Sequence, residues 1–173
     1  MAFRLVLMGP AGSGKTTVGK LFAARHGIPF VDGDALHPAA NIAKMARGEA
    51  LSDADRAPWL DRVAALLSEH AAAHRSIVIA CSALKRSYRD RLREAGSGVR
   101  FALLTAPRAV LEGRVRARAD HYMPASLVAD QCDQLEPPAA NEHALLLDAT
   151  MPVENLAGEI AVWVGGGASR LKF

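Results

Sequence analysis

The sequence predicts an α/β protein of three layers, an open parallel sheet with helices on both faces. Three observations lead there. Short apolar runs alternate with stretches of helical periodicity along the chain. The first run passes directly into a glycine-rich turn, Gly9-Pro-Ala-Gly-Ser-Gly-Lys15-Thr16, that opens a helix. Half of the 173 residues are hydrophobic and spread throughout, enough for a real core.

The elements follow in order. Residues 3–8 read as a buried strand, and residues 15–26 as a helix with Val18, Leu21 and Phe22 on one face, stopped by Gly27. Residues 28–31 form a short second strand. Ser52-Asp-Ala-Asp55 resembles a capping box before Trp59, Leu60, Val63, Leu66 and Leu67 at helical spacing. Residues 77–81 are the most apolar strand and are therefore expected at the sheet centre. Residues 85–95 read as a basic helix, with Arg86, Arg89, Arg91 and Arg93 mostly solvated. Residues 101–105 are a strand, Pro107 starts a helix leading to Arg118, residues 145–147 are a last strand, and residues 153–164 an amphipathic helix. Right-handed crossovers bring the strand ends, and so a ligand, to one edge of the sheet. No repeat or linker interrupts the pattern, so residues 1–173 are expected to form one domain.

Lys and Arg exceed Asp and Glu by 21 − 18 = 3, a modest excess that suits an anionic substrate. Aromatic residues make up 5%, and no basic run is interleaved with them, so no nucleic-acid partner is expected. Cys81 and Cys132 have no metal-ligand spacing and are read as free thiols. His70 and His74 are four apart, but no third ligand is placed near them, and they are read as surface. The apolar run from Leu5 to Met8 is far too short for a signal or membrane segment, so the expected compartment is the cytoplasm, with no membrane partner.

The turn after the first strand fits G-x-x-x-x-G-K-[ST], the pattern of a phosphate-binding P-loop. Its glycines let successive backbone N–H groups face phosphate oxygens, and the helix that follows adds its positive end. Gly9, Ala11, Gly12, Ser13, Gly14, Lys15, Thr16 and Thr17 are the expected ATP contacts. Lys15 is expected at the β- and γ-phosphates and the Thr16 hydroxyl at Mg²⁺. The motif predicts an ATP-using phosphotransferase without naming the acceptor.

Beyond the second strand, Asp32-Gly33-Asp34 sets two carboxylates two residues apart. One can orient a metal's water shell while the other takes a proton from an attacking hydroxyl. A polar turn has the same composition, and this fragment alone does not separate the two readings. Longer blocks do. Gly33-Asp34-Ala-Leu36-His37-Pro38-Ala-Ala-Asn41-Ile-Ala-Lys44-Met45 runs on to Leu51-Ser-Asp53-Ala-Asp55-Arg56-Ala-Pro58-Trp59. Later come Cys81-Ser82-Ala83-Leu84-Lys85-Arg86-Ser-Tyr88-Arg89-Asp90, His121-Tyr-Met123-Pro124, Gln131 and Leu135-Glu136-Pro137. In this order, from about residue 5 to 138, the sequence closely resembles the gluconate kinase family.

The resemblance implies transfer of the ATP γ-phosphate to the 6-hydroxyl of D-gluconate, within sugar-acid catabolism feeding the pentose phosphate or Entner–Doudoroff route. It also implies a P-loop kinase fold related to shikimate kinases, a Mg²⁺ requirement and a homodimer. Asp34 would contact the accepting hydroxyl and Asp32 would lie nearer the metal with Thr16. Arg56 matches a substrate-carboxylate arginine, a task its planar fork suits. His37, Asn41, Lys44, Ser82, Lys85 and His121 are further substrate candidates, whereas Arg47 is read as solvated. The 77–81 strand runs into Cys81-Ser82 without an acidic residue, so metal binding would rest on Thr16, phosphate oxygens and water, with Asp32 beside them.

A lid over approximately residues 119–131 would close on ATP, with Arg114 and Arg118 on one helical face toward the phosphates. Lys15, Asp34 and Arg118 are the catalytic candidates. Asp120, Tyr122 and Asp130 depart from the family's usual residues and bear on lid contacts. Two other readings stand beside this one: a shikimate kinase or other small-molecule kinase on the same scaffold, and a non-catalytic ATP-sensing module. Cys81-Ser82-Ala83 replaces the glycine turn of shikimate kinases, and an acceptor-side carboxylate has no use in a sensor.

Overall fold

Arg4–Met8 and Ile77–Ala80 are buried at every position, as parallel strands covered on both faces must be. In the computed structural model, which describes residues 2–117 and 126–166, they are β1 and β3 of a five-stranded sheet. The other strands are β2 (Phe30–Asp32), β4 (Val99–Thr105) and β5 (Leu145–Asp148). All pairings are parallel, in the order β2-β3-β1-β4-β5. Apolarity did not predict which strand lies in the middle. β3 is interior, but β1 takes the centre, registering Leu5 with Val78 on one side and Val6 with Phe101 on the other.

Alternation along β1 divides the core. Leu5 and Leu7 face α1 (Lys15–His26) and α7 (Val153–Val164), packing with Val18, Phe22, Leu156 and Ile160. Val6 and Met8 face α3 (Asp53–Ala72) and α4 (Arg86–Glu94), packing with Trp59, Val63, Leu67, Tyr88 and Leu92. Each large apolar side chain buried this way contributes about 1.5–3 kcal/mol. The capping box opening α3 is present as read: Ser52 accepts from the Asp55 N–H, and Asp55 accepts from the Ser52 N–H at 2.7 Å. Three further helices, α2 (Ala39–Ala46), α5 (Arg108–Arg116) and α6 (Ser126–Gln134), carry smaller apolar clusters. Met45 and Leu51 pack with Leu127, and Leu111 and Val115 with Val128.

Two residues read as surface are buried. Arg89 has 0% exposure, and its guanidinium is paired with Glu142 at 2.7 and 2.8 Å and donates to the Leu84 and Glu136 carbonyls. Only the other α4 arginines keep substantial exposure. His70 is buried against its own helix, with Nδ1 3.0 Å from the Leu66 carbonyl. Both cysteines are free, Cys81 fully buried with its thiol pushed up to about 12 by desolvation, and Cys132 partly buried. Among the described residues no helix is long and apolar enough to cross a membrane, and no group of three or more His, Cys, Asp or Glu could hold a metal ion.

Candidate active site

The loop between β1 and α1 holds its shape through backbone geometry that side chains resist. Gly9 has φ +135°, and a Cβ there would run into the Leu104 carbonyl. Gly14 caps α1 at φ +90° without a side-chain cap, so the first-turn amides of α1 are left for a ligand. The Gly9 N–H donates to the Ser82 carbonyl at 3.1 Å, which ties the loop to the end of β3. Lys15 Nζ donates to the Gly9 and Pro10 carbonyls at 2.9 and 3.0 Å. The Ala11 N–H is held at 2.7 Å by Gln131 Oε1 from α6.

Two clefts meet at this loop and share Gly12 and Gly14. The first, open to solvent, is bordered by Lys15, Thr16, Asp34, His37, Arg56, Ser82, Asp130 and Gln131. The Thr16 hydroxyl donates to Asp32 Oδ2 at 3.0 Å, while Asp32 Oδ1 accepts from the Asp34 N–H at 3.1 Å. Asp32 thus fixes the 3₁₀ turn Gly33–Leu36 that carries Asp34, and Trp59 Nε1 fixes the same turn from α3 by donating to the Gly33 carbonyl at 2.8 Å.

His37 is 8% exposed and lies flat on Trp59, with ring centroids 4.3 Å apart. Burial, helped by the nearby Arg56 charge, lowers its pKa to about 4, so the ring is neutral at ordinary pH. Its Nδ1 lies 3.3 Å from Asn41 Nδ2; as a donor can only meet an acceptor there, the ring proton belongs on Nε2. Arg56, 6% exposed on α3, donates from Nη1 to Gln134 Oε1 at 2.8 Å and to the Tyr88 hydroxyl at 3.3 Å. It forms no ion pair among the described residues.

Three sequence candidates turn elsewhere. Lys44 pairs with Asp55 at 2.7 Å, and Lys85 with Asp53 at 2.7 Å, so the acids of the capping turn take both ammonium groups. Lys44 and the Ser52 hydrogen bonds hold Asp55 down to about 2. Asn41 is buried and donates to the Asp55 carbonyl at 2.8 Å. Arg47 is exposed and pairs with Glu49, as read. Tyr88 and Gln134 were not anticipated as site residues: Tyr88 donates to Asp53 and accepts from Arg56, and Gln134 bridges Arg56 to Asp130. Arg118 and His121 lie outside the described residues, as does residue 119–125 of the expected lid.

The second cleft lies on the other side of the loop, bordered by Ser13, Thr17, Arg114, Ala149, Met151 and Val153. Arg114 spans it, donating to the Gly12 carbonyl at 3.3 Å and the Ala149 carbonyl at 2.8 Å. A half-apolar cleft joined to the amide-rich loop is shaped for a nucleotide whose phosphates reach the loop.

The AAA domain family model matches residues 5–138. The chain is 44% identical over 155 residues to the gluconokinase of Gluconobacter oxydans (strain 621H), covering 90% of this chain and 82% of that protein. A sugar kinase from Janibacter sp. HTCC2649 superposes with a TM-score of 0.90 at 42% identity, over 95% of both chains. A gluconokinase from Sinorhizobium meliloti 1021 superposes with a TM-score of 0.83 at 40% identity, over 94% of this chain and 91% of that one. Likeness of this extent, running through the loop and both clefts, means that the chain belongs to the gluconokinase family, on a P-loop kinase fold.

Proposed function

We propose that this protein transfers the γ-phosphoryl group of ATP to the 6-hydroxyl of D-gluconate, giving ADP and 6-phospho-D-gluconate. The observation that carries the reading is Arg56. A buried guanidinium normally sits against a carboxylate, because an uncompensated charge out of water is costly. Arg56 has only neutral hydrogen-bond partners and no ion pair among the described residues, and it borders the same cleft as Lys15 and Asp34. An acceptor that brings its own carboxylate completes it.

The remaining roles follow from the geometry. Lys15 and the amides from Gly12 to Thr17 hold the β- and γ-phosphates of ATP, whose base lies in the second cleft beside Arg114. Asp34 orients the accepting hydroxyl and takes its proton as the new O–P bond forms. Neutral His37 donates from Nε2 to a substrate hydroxyl, and Ser82 contributes a second polar contact. The hydroxyl of Thr16 and the carboxylate of Asp32 are hard oxygen donors 3.0 Å apart, which suits Mg²⁺ held mainly by phosphate oxygens and water. When bound, Mg²⁺ neutralises charge on the β- and γ-oxygens. A lid over about residues 119–131, bringing Arg118 and His121, completes the reading, as do a single domain, a homodimer and a cytoplasmic location.

The test couples ADP release to a readout with Mg-ATP and a panel of gluconate, other sugar acids, shikimate and nucleoside monophosphates. Turnover with gluconate, lost by several orders of magnitude in a folded Lys15→Ala variant, is the expected result. Turnover with shikimate alone would transfer the protein to another substrate class. ATP binding without turnover on any acceptor would leave a sensor.

A further inference from the structure

The neutral partners of Arg56 are themselves a choice made by the sequence. Gln134 Oε1 takes a hydrogen bond from Nη1 at 2.8 Å, and the Tyr88 hydroxyl takes a second at 3.3 Å. The far end of the Gln134 amide is also committed. Its Nε2 donates to Asp130 Oδ2 at 2.6 Å. That contact decides which way the amide faces. Reversed, it would set an N–H against a guanidinium that has only donors, and a carbonyl against a carboxylate that has only lone pairs. Leu127, Asp130, Gln131 and Gln134 are spaced i, i+3, i+4 and i+7 on α6, so one face of a single helix holds the P-loop at Ala11 and Arg56 at its Nη1.

We propose that Gln134 is a positioning residue that sets acceptor specificity: it fixes the Arg56 fork with a neutral dipole and so leaves the full positive charge for the acceptor's carboxylate. The inference rests on the reading of Arg56 as the acceptor's anion receptor. A glutamate in the same place, with Asp130 changed to asparagine so that no carboxylate faces it across the 2.6 Å contact, would align the fork equally well and neutralise it. Position and charge of the receptor are therefore set by different atoms, and a substitution that preserves shape can separate them.

The experiment compares Gln134→Glu, which keeps shape and adds charge, with Gln134→Met, which keeps shape and removes the hydrogen bond, both in an Asp130→Asn background that removes the carboxylate 2.6 Å from the amide. Gln134→Glu is expected to raise KM for gluconate by roughly tenfold or more, because a partly buried carboxylate now competes for Arg56. Its KM for ATP and its Tm stay at the values of the Asp130→Asn background, or its Tm is higher. Gln134→Met raises KM for gluconate less and lowers Tm. The order in KM is thus the reverse of the order in stability, which a merely structural glutamine does not produce. A KM for gluconate in Gln134→Glu at or below that of Gln134→Met overturns the proposal. If the wild type does not turn over gluconate, the reading of the acceptor fails first. Equilibrium binding of gluconate and shikimate, against a neutral hexitol, then reads the same two variants. Carboxylate binding lost in Gln134→Glu and kept in Gln134→Met still supports the role of Gln134, and a wild type that binds no carboxylate overturns both.

Discussion

Arg56 and Arg89 are both buried cations on helices that pack against the same face of the sheet, yet they are built for opposite ends. Arg89 is closed. Glu142, whose side chain is 2% exposed, meets it with two hydrogen bonds, and backbone carbonyls take further N–H groups. Arg56 is open, satisfied on Nη1 by two neutral groups and bordering a cleft. Burial alone therefore does not separate structure from function. The sign of the partners does. A buried charge with its counter-charge in the chain holds the chain together, and one without it is held by the chain for a ligand.

The largest effect should come from breaking the closed arginine. Arg89→Met leaves Glu142 as a buried carboxylate with only the 3.4 Å contact to Arg93 as counter-charge, and should destabilise the protein by about 3 kcal/mol in urea unfolding. The activity of the molecules that remain folded should persist at low temperature. A stability loss below about 1 kcal/mol would place Arg89 with ordinary surface ion pairs.

Arg56→Met should do the reverse. KM for gluconate rises by about 100-fold or more, while Tm holds or increases, since a buried charge that forms no ion pair is removed. A large fall in Tm with unchanged KM would make Arg56 the structural residue of the two.

A smaller effect lies in the pH dependence. The Arg89 hydrogen bond holds Glu142 down to about 2, against an ordinary value of 4.5. A depressed carboxylate contributes stability that is fully present above 4.5 and is lost as pH falls from there toward 2. Unfolding free energy measured across that window should fall less steeply in Glu142→Gln than in the wild type. Arg56→Met should change the slope less, because its charge is only the smallest of the influences that lower the Asp53 carboxyl.

The contrast also marks what the sequence made legible. The phosphate loop was readable because its chemistry lies within eight consecutive residues, and the α3 cap because Ser52 and Asp55 are neighbours. Arg89 and Arg56 were not separable, since both sit among other arginines or acids with helical spacing. What distinguishes them comes from Glu142, 53 positions after Arg89, and Gln134, 78 positions after Arg56. Lys44 and Lys85 looked like substrate residues for the same reason. Their nearest acids, Asp55 and Asp53, are brought to them only by the packing of α2 and α4 around the start of α3. Strand order was likewise hidden, because β1 and β3 are both buried throughout and hydrophobicity cannot rank them.

The P-loop is the wall between two rooms furnished by different parts of the chain. One is furnished by the Gly33–Leu36 turn, α3 and α6, the other by α5 and the segment from β5 into α7. A lineage on this scaffold can therefore change what it phosphorylates by substitutions in the first set while its nucleotide chamber drifts little. The same division offers a practical route to redesign: acceptor libraries confined to residues 34–60 and 127–134 leave Thr17, Arg114 and Ala149 untouched.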